Sequence, residues 1–148
     1  TDIAALLSPP IFRDFARPYF ERQCAELDYV LYHLDGPDAI YSLDILCEME
    51  GIDAIQWVPG AGNPPAQDPE WDHIWKRILD AGKGIWAHMP ASAAPDFVKR
   101  FGIRGVYLDL GWIEDAAEAR ALLKKLTPKA PAARKPSAKK AGAKGKRA

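Results

Sequence analysis

The chain has 148 residues, enough for one domain, and its 48% hydrophobic content, with five Trp, five Tyr and five Phe, supplies a core and excludes a wholly disordered protein. No apolar run approaches the roughly 18–20 residues that cross a bilayer, and the amino end lacks the basic-then-apolar layout of a secretion signal, so a soluble, cytoplasmic protein is expected. The formal net charge of zero sums two unlike parts: residues 1–126 carry twelve basic and twenty acidic side chains, a net −8, whereas residues 127–148 carry eight basic and no acidic ones.

The chain begins at Thr1 and not at a methionine, as a processed chain or a piece of a longer protein would. The opening stretch, "TDIAALLSPPIFRDFARPYFERQCAE", reads as helix around Pro9 and Pro18, with Ile11, Phe12, Phe15, Tyr19 and Phe20 as its apolar residues. Ser8-Pro9-Pro10 suits a helix start, because proline fits the first turn. "LDYVLYHLDG" follows as a strand that stops at Gly36, and "PDAIYSLDILCEMEG" places Ile40, Leu43, Leu46 and Cys47 at helical spacing. A second strand, "IDAIQWVPG", leads through the loop "AGNPPAQDP" into "EWDHIWKRILDAGK", a helix with Trp71, Ile74, Trp75 and Ile78 on one stripe. "GIWAHMPA" is a third strand with a helix around "APDFVKRFG", and "RGVYLDLG" is a fourth, closed by the amphipathic "EDAAEARALLKKL". Residues 127–148 contain no large apolar side chain, so they are expected to be a disordered basic tail with at most weak affinity for polyanions.

Four consecutive βα units predict a parallel α/β sheet whose strands are covered on both faces. No glycine-rich phosphate loop opens any helix, which argues against a nucleotide-binding doubly wound sheet. A TIM (β/α)8 barrel needs eight such units, so residues 1–126 read as half a barrel, with two sheet edges left for a preceding segment or a second copy to cover. Cys24 and Cys47 fall in helical stretches without C-x-x-C spacing and read as buried, reduced thiols.

Side chains two apart on a strand share a face, so His33 and Asp35 project together while Leu34 faces the helix layer. The same arithmetic pairs Trp86 with His88 and Tyr107 with Asp109, and the second strand supplies either Gln56 or Trp57. These residues gather at the carboxyl ends of the strands, where parallel α/β proteins hold their ligands. His33, Asp35, His88 and Asp109 are therefore the candidate catalytic residues, suited to proton transfer, metal binding or substrate orientation. Gln56, Trp57, Trp86 and Tyr107 are candidate substrate contacts. Asp35 before Gly36-Pro37 and Asp109 before Leu110-Gly111 also fit turn residues bonded to their own backbone. His73, between Trp71 and Trp75 on a helix, reads as a surface residue. The long Gly/Pro loop after Trp57 reads as a pocket wall or lid over residues 59–69.

Taken together, "LSPPIFRDFARPYF", "LYHLDGP", "GIDAIQWVPG" and "GVYLDLGWIEDAAEARALLKKL" resemble the carboxyl-terminal half of the uroporphyrinogen decarboxylase and cobalamin-dependent methyltransferase superfamily, over residues 1–126. The resemblance implies a TIM barrel whose first four strands lie in an absent amino-terminal portion. Its methyltransferase branch holds zinc at a His-x-Cys-Gly strand end to activate a thiol for methylation by a corrinoid. Here His33 matches the histidine, Asp35 replaces the first cysteine, and no cysteine lies near Asp109. His33, Asp35 and Asp109 are then the candidate ligands of a divalent metal, zinc or a harder ion. The decarboxylase branch binds a tetrapyrrole without metal, using an arginine motif in the amino-terminal half. The expected activity is methyl transfer, corrinoid-linked or metal-assisted, on a small molecule, with a corrinoid protein as partner and little activity from this chain alone. The alternatives are porphyrinogen decarboxylation, which would make the protein a lyase, and a noncatalytic binding fragment.

Overall fold

The order of the strands in space repeats their order in the chain. In the computed structural model, which describes residues 2–127, β1 (Leu31–Asp35), β2 (Ala54–Val58), β3 (Gly84–His88) and β4 (Val106–Asp109) form one parallel sheet ordered β1-β2-β3-β4. Helices alternate with them: α1 (Pro9–Ile11) and α2 (Arg17–Ala25) precede β1, followed by α3 (Leu43–Glu48), α4 (Asp72–Asp80), α5 (Ala94–Phe101) and α6 (Ala116–Leu126). A parallel sheet that advances one strand at a time through right-handed crossovers keeps its helices on one side, whereas a doubly wound sheet reverses direction to place them on both. The architecture is thus α/β, with four parallel strands alternating with helices, and is compatible with half of a βα barrel. The expected disordered tail, beyond Thr127, lies outside the described residues.

Burial follows the same one-sided plan and corrects the expectation that both faces are covered. Tyr32, Leu34, Ile55, Trp57, Ile85 and Ala87 are buried, while their alternates Leu31, His33, Gln56, Trp86 and His88 are exposed or half-buried. The buried face meets the helices. Ile74, Trp75 and Ile78 of α4, with Trp71 just before it, form the expected stripe, and Trp75 packs edge-on against Phe97 of α5 with ring centres 5.7 Å apart. At the amino end, proline shapes the helix. Pro18 has no N–H for the carbonyl four residues back, and a π stretch over Phe12–Ala16, closed by the Arg17 N–H on the Phe12 carbonyl, precedes it.

Two buried polar features complete the core. Lys83 runs beneath the sheet to donate from Nζ to the Met49 and Ile52 carbonyls, both at 2.7 Å, which caps the end of α3. Cys24 and Cys47 are free and buried, as expected, and burial pushes both thiols up from their ordinary value. Neither is an activated nucleophile. No helix among the described residues is long and apolar enough to cross a membrane.

Candidate active site

Strand register turns the scattered polar residues into two rows. His33 pairs with Gln56, Gln56 with Trp86, and Trp86 with Tyr107, so one row crosses all four strands on the helix-free face. One pleat nearer the carboxyl ends, Asp35 pairs with Val58, and His88 pairs with Asp109. His33, Asp35, Gln56, Trp86, His88, Tyr107 and Asp109 therefore share one face. Trp57 does not. It lies on the opposite side, 1% exposed, with its ring edge-on to Trp71 at 5.2 Å, so of the two candidates on β2 it is Gln56 that meets His33.

Within the first row, Nδ1–H of His33 donates to Oε1 of Gln56 at 2.7 Å, which orients the imidazole and turns its Nε2 toward the Asp35 side. Nε2 stands 3.9 Å from Oδ1 of Asp35, too long for a direct hydrogen bond and close enough for electrostatic attraction or a bridging water. Trp86 and Tyr107 meet edge-on with centres 5.3 Å apart, and the indole N–H of Trp86 is buried without a partner among the described residues. An orphaned donor on this face would be satisfied by a polar group brought against it.

The second pair is tighter. Nδ1 of His88 lies 3.3 Å from Oδ2 of Asp109, while Oδ1 of Asp109 accepts the Gly111 N–H at 3.1 Å. The Asp109 carboxyl is lowered from its ordinary value, first by that backbone N–H and then by His88. One oxygen of Asp109 thus makes the expected turn bond, and the other faces His88. The required turn is tight: Gly111 has a φ of 65°, a conformation that favours glycine. Asp35 makes no corresponding bond to its own turn among the described residues.

His33, Asp35 and Asp109 do not form one metal-ligand set. His33 and Asp35 stand on β1 and Asp109 on β4, three strand spacings or about 14 Å away along the backbone. Asp109 is occupied by His88 and Gly111. No group of three His, Cys, Asp or Glu able to hold an ion is found among the described residues. Among the described residues the face holds two His–Asp pairs, His33–Asp35 on β1 and His88–Asp109 across β3 and β4, with Trp86 and Tyr107 one pleat before the second pair. His73 lies away from both, exposed on α4 with Nδ1 against the Glu70 carbonyl at 2.9 Å.

Of the two readings of the loop after β2, wall and lid, its anchors favour the wall. Trp71 Nε1–H donates to the Pro64 carbonyl at 3.1 Å, Trp75 Nε1–H to Ala66 at 2.9 Å and Arg100 to Gln67 at 2.6 Å. Arg100 is itself fixed by ion pairs to Asp72 and Asp96. A loop whose carbonyls are held by three buried or half-buried donors from the helix layer is a fixed wall. Arg100 went unnoticed in the sequence because a single arginine near a helix end carries no signal of what it reaches.

Comparison with protein-family models, with curated proteins and with solved structures finds no match to this chain.

Proposed function

We propose that residues 1–126 are the carboxyl-terminal half of a TIM barrel resembling the uroporphyrinogen decarboxylase and cobalamin-dependent methyltransferase superfamily, and that the complete barrel transfers a methyl group to a small molecule in the cytoplasm. The observation that supports this reading most is the single polar face on which His33, Gln56, Trp86 and Tyr107 align across the sheet, with His88 and Asp109 at its carboxyl edge. Such a face on a parallel sheet belongs to a closed interior, because the alternative is an open sheet with two bare edges. The other four βα units come from a segment encoded before Thr1, and pairing of two copies is the competing way to close the ring.

In this reading His88 is the base. Asp109, held ionised by the Gly111 N–H, faces Nδ1 of the imidazole and leaves Nε2 to take the proton of a hydroxyl or thiol. The electron pair freed on that oxygen or sulfur would form the new bond to the methyl carbon, and a methyl-corrinoid partner, when bound, would supply that methyl group and keep the pair of the broken bond. His33, oriented by Gln56, and Asp35 bind the polar end of the substrate, and Trp86 with Tyr107 supply a flat apolar contact.

The test is a methyl-corrinoid transfer assay on the intact encoded protein with thiol and alcohol acceptors. Turnover that falls about 100-fold or more in His88→Ala supports the reading. Conversion of uroporphyrinogen to coproporphyrinogen without methyl transfer would replace it with the decarboxylase, and inactivity in both would leave a binding fragment.

A further inference from the structure

A cavity of about 420 Å³ lies above the carboxyl ends of β2 and β3, in the size range of small-molecule pockets. Trp57 and Met89, each 1% exposed, form its floor, Pro59, Pro64 and Ala66 its wall, and His88 is the one titratable side chain that lines it. The placement explains Trp57: it misses the polar face of the sheet and serves this second, apolar recess.

Three features make the recess a prepared one. First, its wall is held open by donors from the helix layer on the Pro64, Ala66 and Gln67 carbonyls, with Asn63 bonded back to the Pro59 carbonyl at 2.8 Å. The ordering of this loop is completed on folding, so a ligand does not have to supply it. Second, a connection of this length exceeds what joining a strand to a helix requires. Third, the one titratable side chain among the described lining residues is His88, whose Nδ1 the Asp109 carboxylate engages, leaving Nε2 as the ring's remaining nitrogen. Asp109 beside His88 opposes an anionic ligand, whereas a neutral group that donates a proton to Nε2 meets no such repulsion.

We infer that this recess binds the uncharged, apolar end of a small molecule that carries a hydroxyl or thiol group there, that end lying against Trp57, Met89 and the Pro64 wall and the O–H or S–H meeting His88. This rests on the proposed function only in taking the carboxyl ends of the strands as the ligand side, and it assigns the acceptor substrate a chemical class.

The test is an NMR titration of the full 148-residue chain, following backbone amides and indole N–H signals, with benzyl alcohol, benzyl mercaptan, toluene and benzoate. The expected result is that benzyl alcohol and benzyl mercaptan shift the signals of residues 59–67, Met89 and the Trp57 indole. Toluene should bind about 3- to 10-fold more weakly for want of one hydrogen bond, and benzoate more weakly still. His88→Ala should bring benzyl alcohol down to the level of toluene, and Ala61→Trp, at an exposed position on the rim, should block all four. Unchanged binding in Ala61→Trp, preference for benzoate, or no shift at these residues up to the solubility of benzyl alcohol would each overturn the inference. Binding in the recess without methyl transfer by the intact protein would sink the proposed function and spare the pocket. Methyl transfer that survives Ala61→Trp unchanged would do the reverse.

Discussion

Asp109 divides its two oxygens between its own turn and His88, and the division has a measurable sign. The Gly111 N–H is the largest single cause of its lowered pKa and outweighs the opposing burial, so removing His88 should leave the carboxyl still lowered. The ionised carboxylate is the form favoured by folding. Its contribution is fully present above the ordinary value of 3.8 and is lost as pH falls through the lower, folded value. Carbon-detected NMR of the side-chain carboxyls should therefore place the Asp109 midpoint below 3.8 in both the parent and His88→Ala. A midpoint at or above 3.8 in His88→Ala would show that the imidazole, and not the turn, holds the charge. The sequence allowed much of this residue-level picture, because the pleat alternates side chains without exception and thereby put His33 with Asp35, Trp86 with His88 and Tyr107 with Asp109 on shared faces. It did not separate Gln56 from Trp57. Neighbouring residues on a strand face opposite ways, and only the partner strand fixes which of them meets His33.

At the scale of elements, the apolar stripes of α4 and α5 were legible because helical spacing survives any tertiary context. The 59–69 loop was not, since its anchors lie in three residues 7 to 33 positions further along the chain. Glycine and proline left wall and lid both open; the long-range donors favour the wall. The indole N–H of Trp75 is wholly buried and serves the Ala66 carbonyl, so Trp75→Phe keeps the ring packed and deletes the bond. This change should cost roughly 1–3 kcal/mol of stability in denaturant titration and speed hydrogen exchange across residues 59–69 more than in α4. Uniform exchange changes across the whole chain would show that Trp75 supports the core alone and does not hold the loop.

At the scale of the molecule, exposed large apolar side chains fall in three places: Leu6, Ile11, Phe15 and Tyr19 on the amino-terminal helices, and two further groups toward the outer strands. Leu27, Tyr29 and Leu31 flank β1, while Ile103, Tyr107, Trp112 and Leu123 lie on the β4 side. The expectation of strands covered on both faces came from the parallel crossover pattern. Leu31, Trp86 and Tyr107 lie on a face that the described residues leave exposed or half-buried. A chain with two such edges should associate: at tens of micromolar, sedimentation should show species heavier than the 16.4 kDa monomer, and Leu31→Lys, which places a charge on the β1 edge, should shift them back toward it. A strict monomer at all concentrations would contradict the reading of these edges as interfaces.

The account turns on the helix-free face of the sheet being the reactive one. The most direct measurement is the methyl-transfer rate of the intact encoded protein with alanine in turn at His33, Asp35, His88 and Asp109, and at His73 on the exposed side of α4. The account predicts that His88→Ala and Asp109→Ala lower the rate about 100-fold or more, that His33→Ala and Asp35→Ala act chiefly on substrate KM, and that His73→Ala leaves the rate unchanged. Full activity in the four variants on this face, or a loss in His73→Ala equal to theirs, would contradict it.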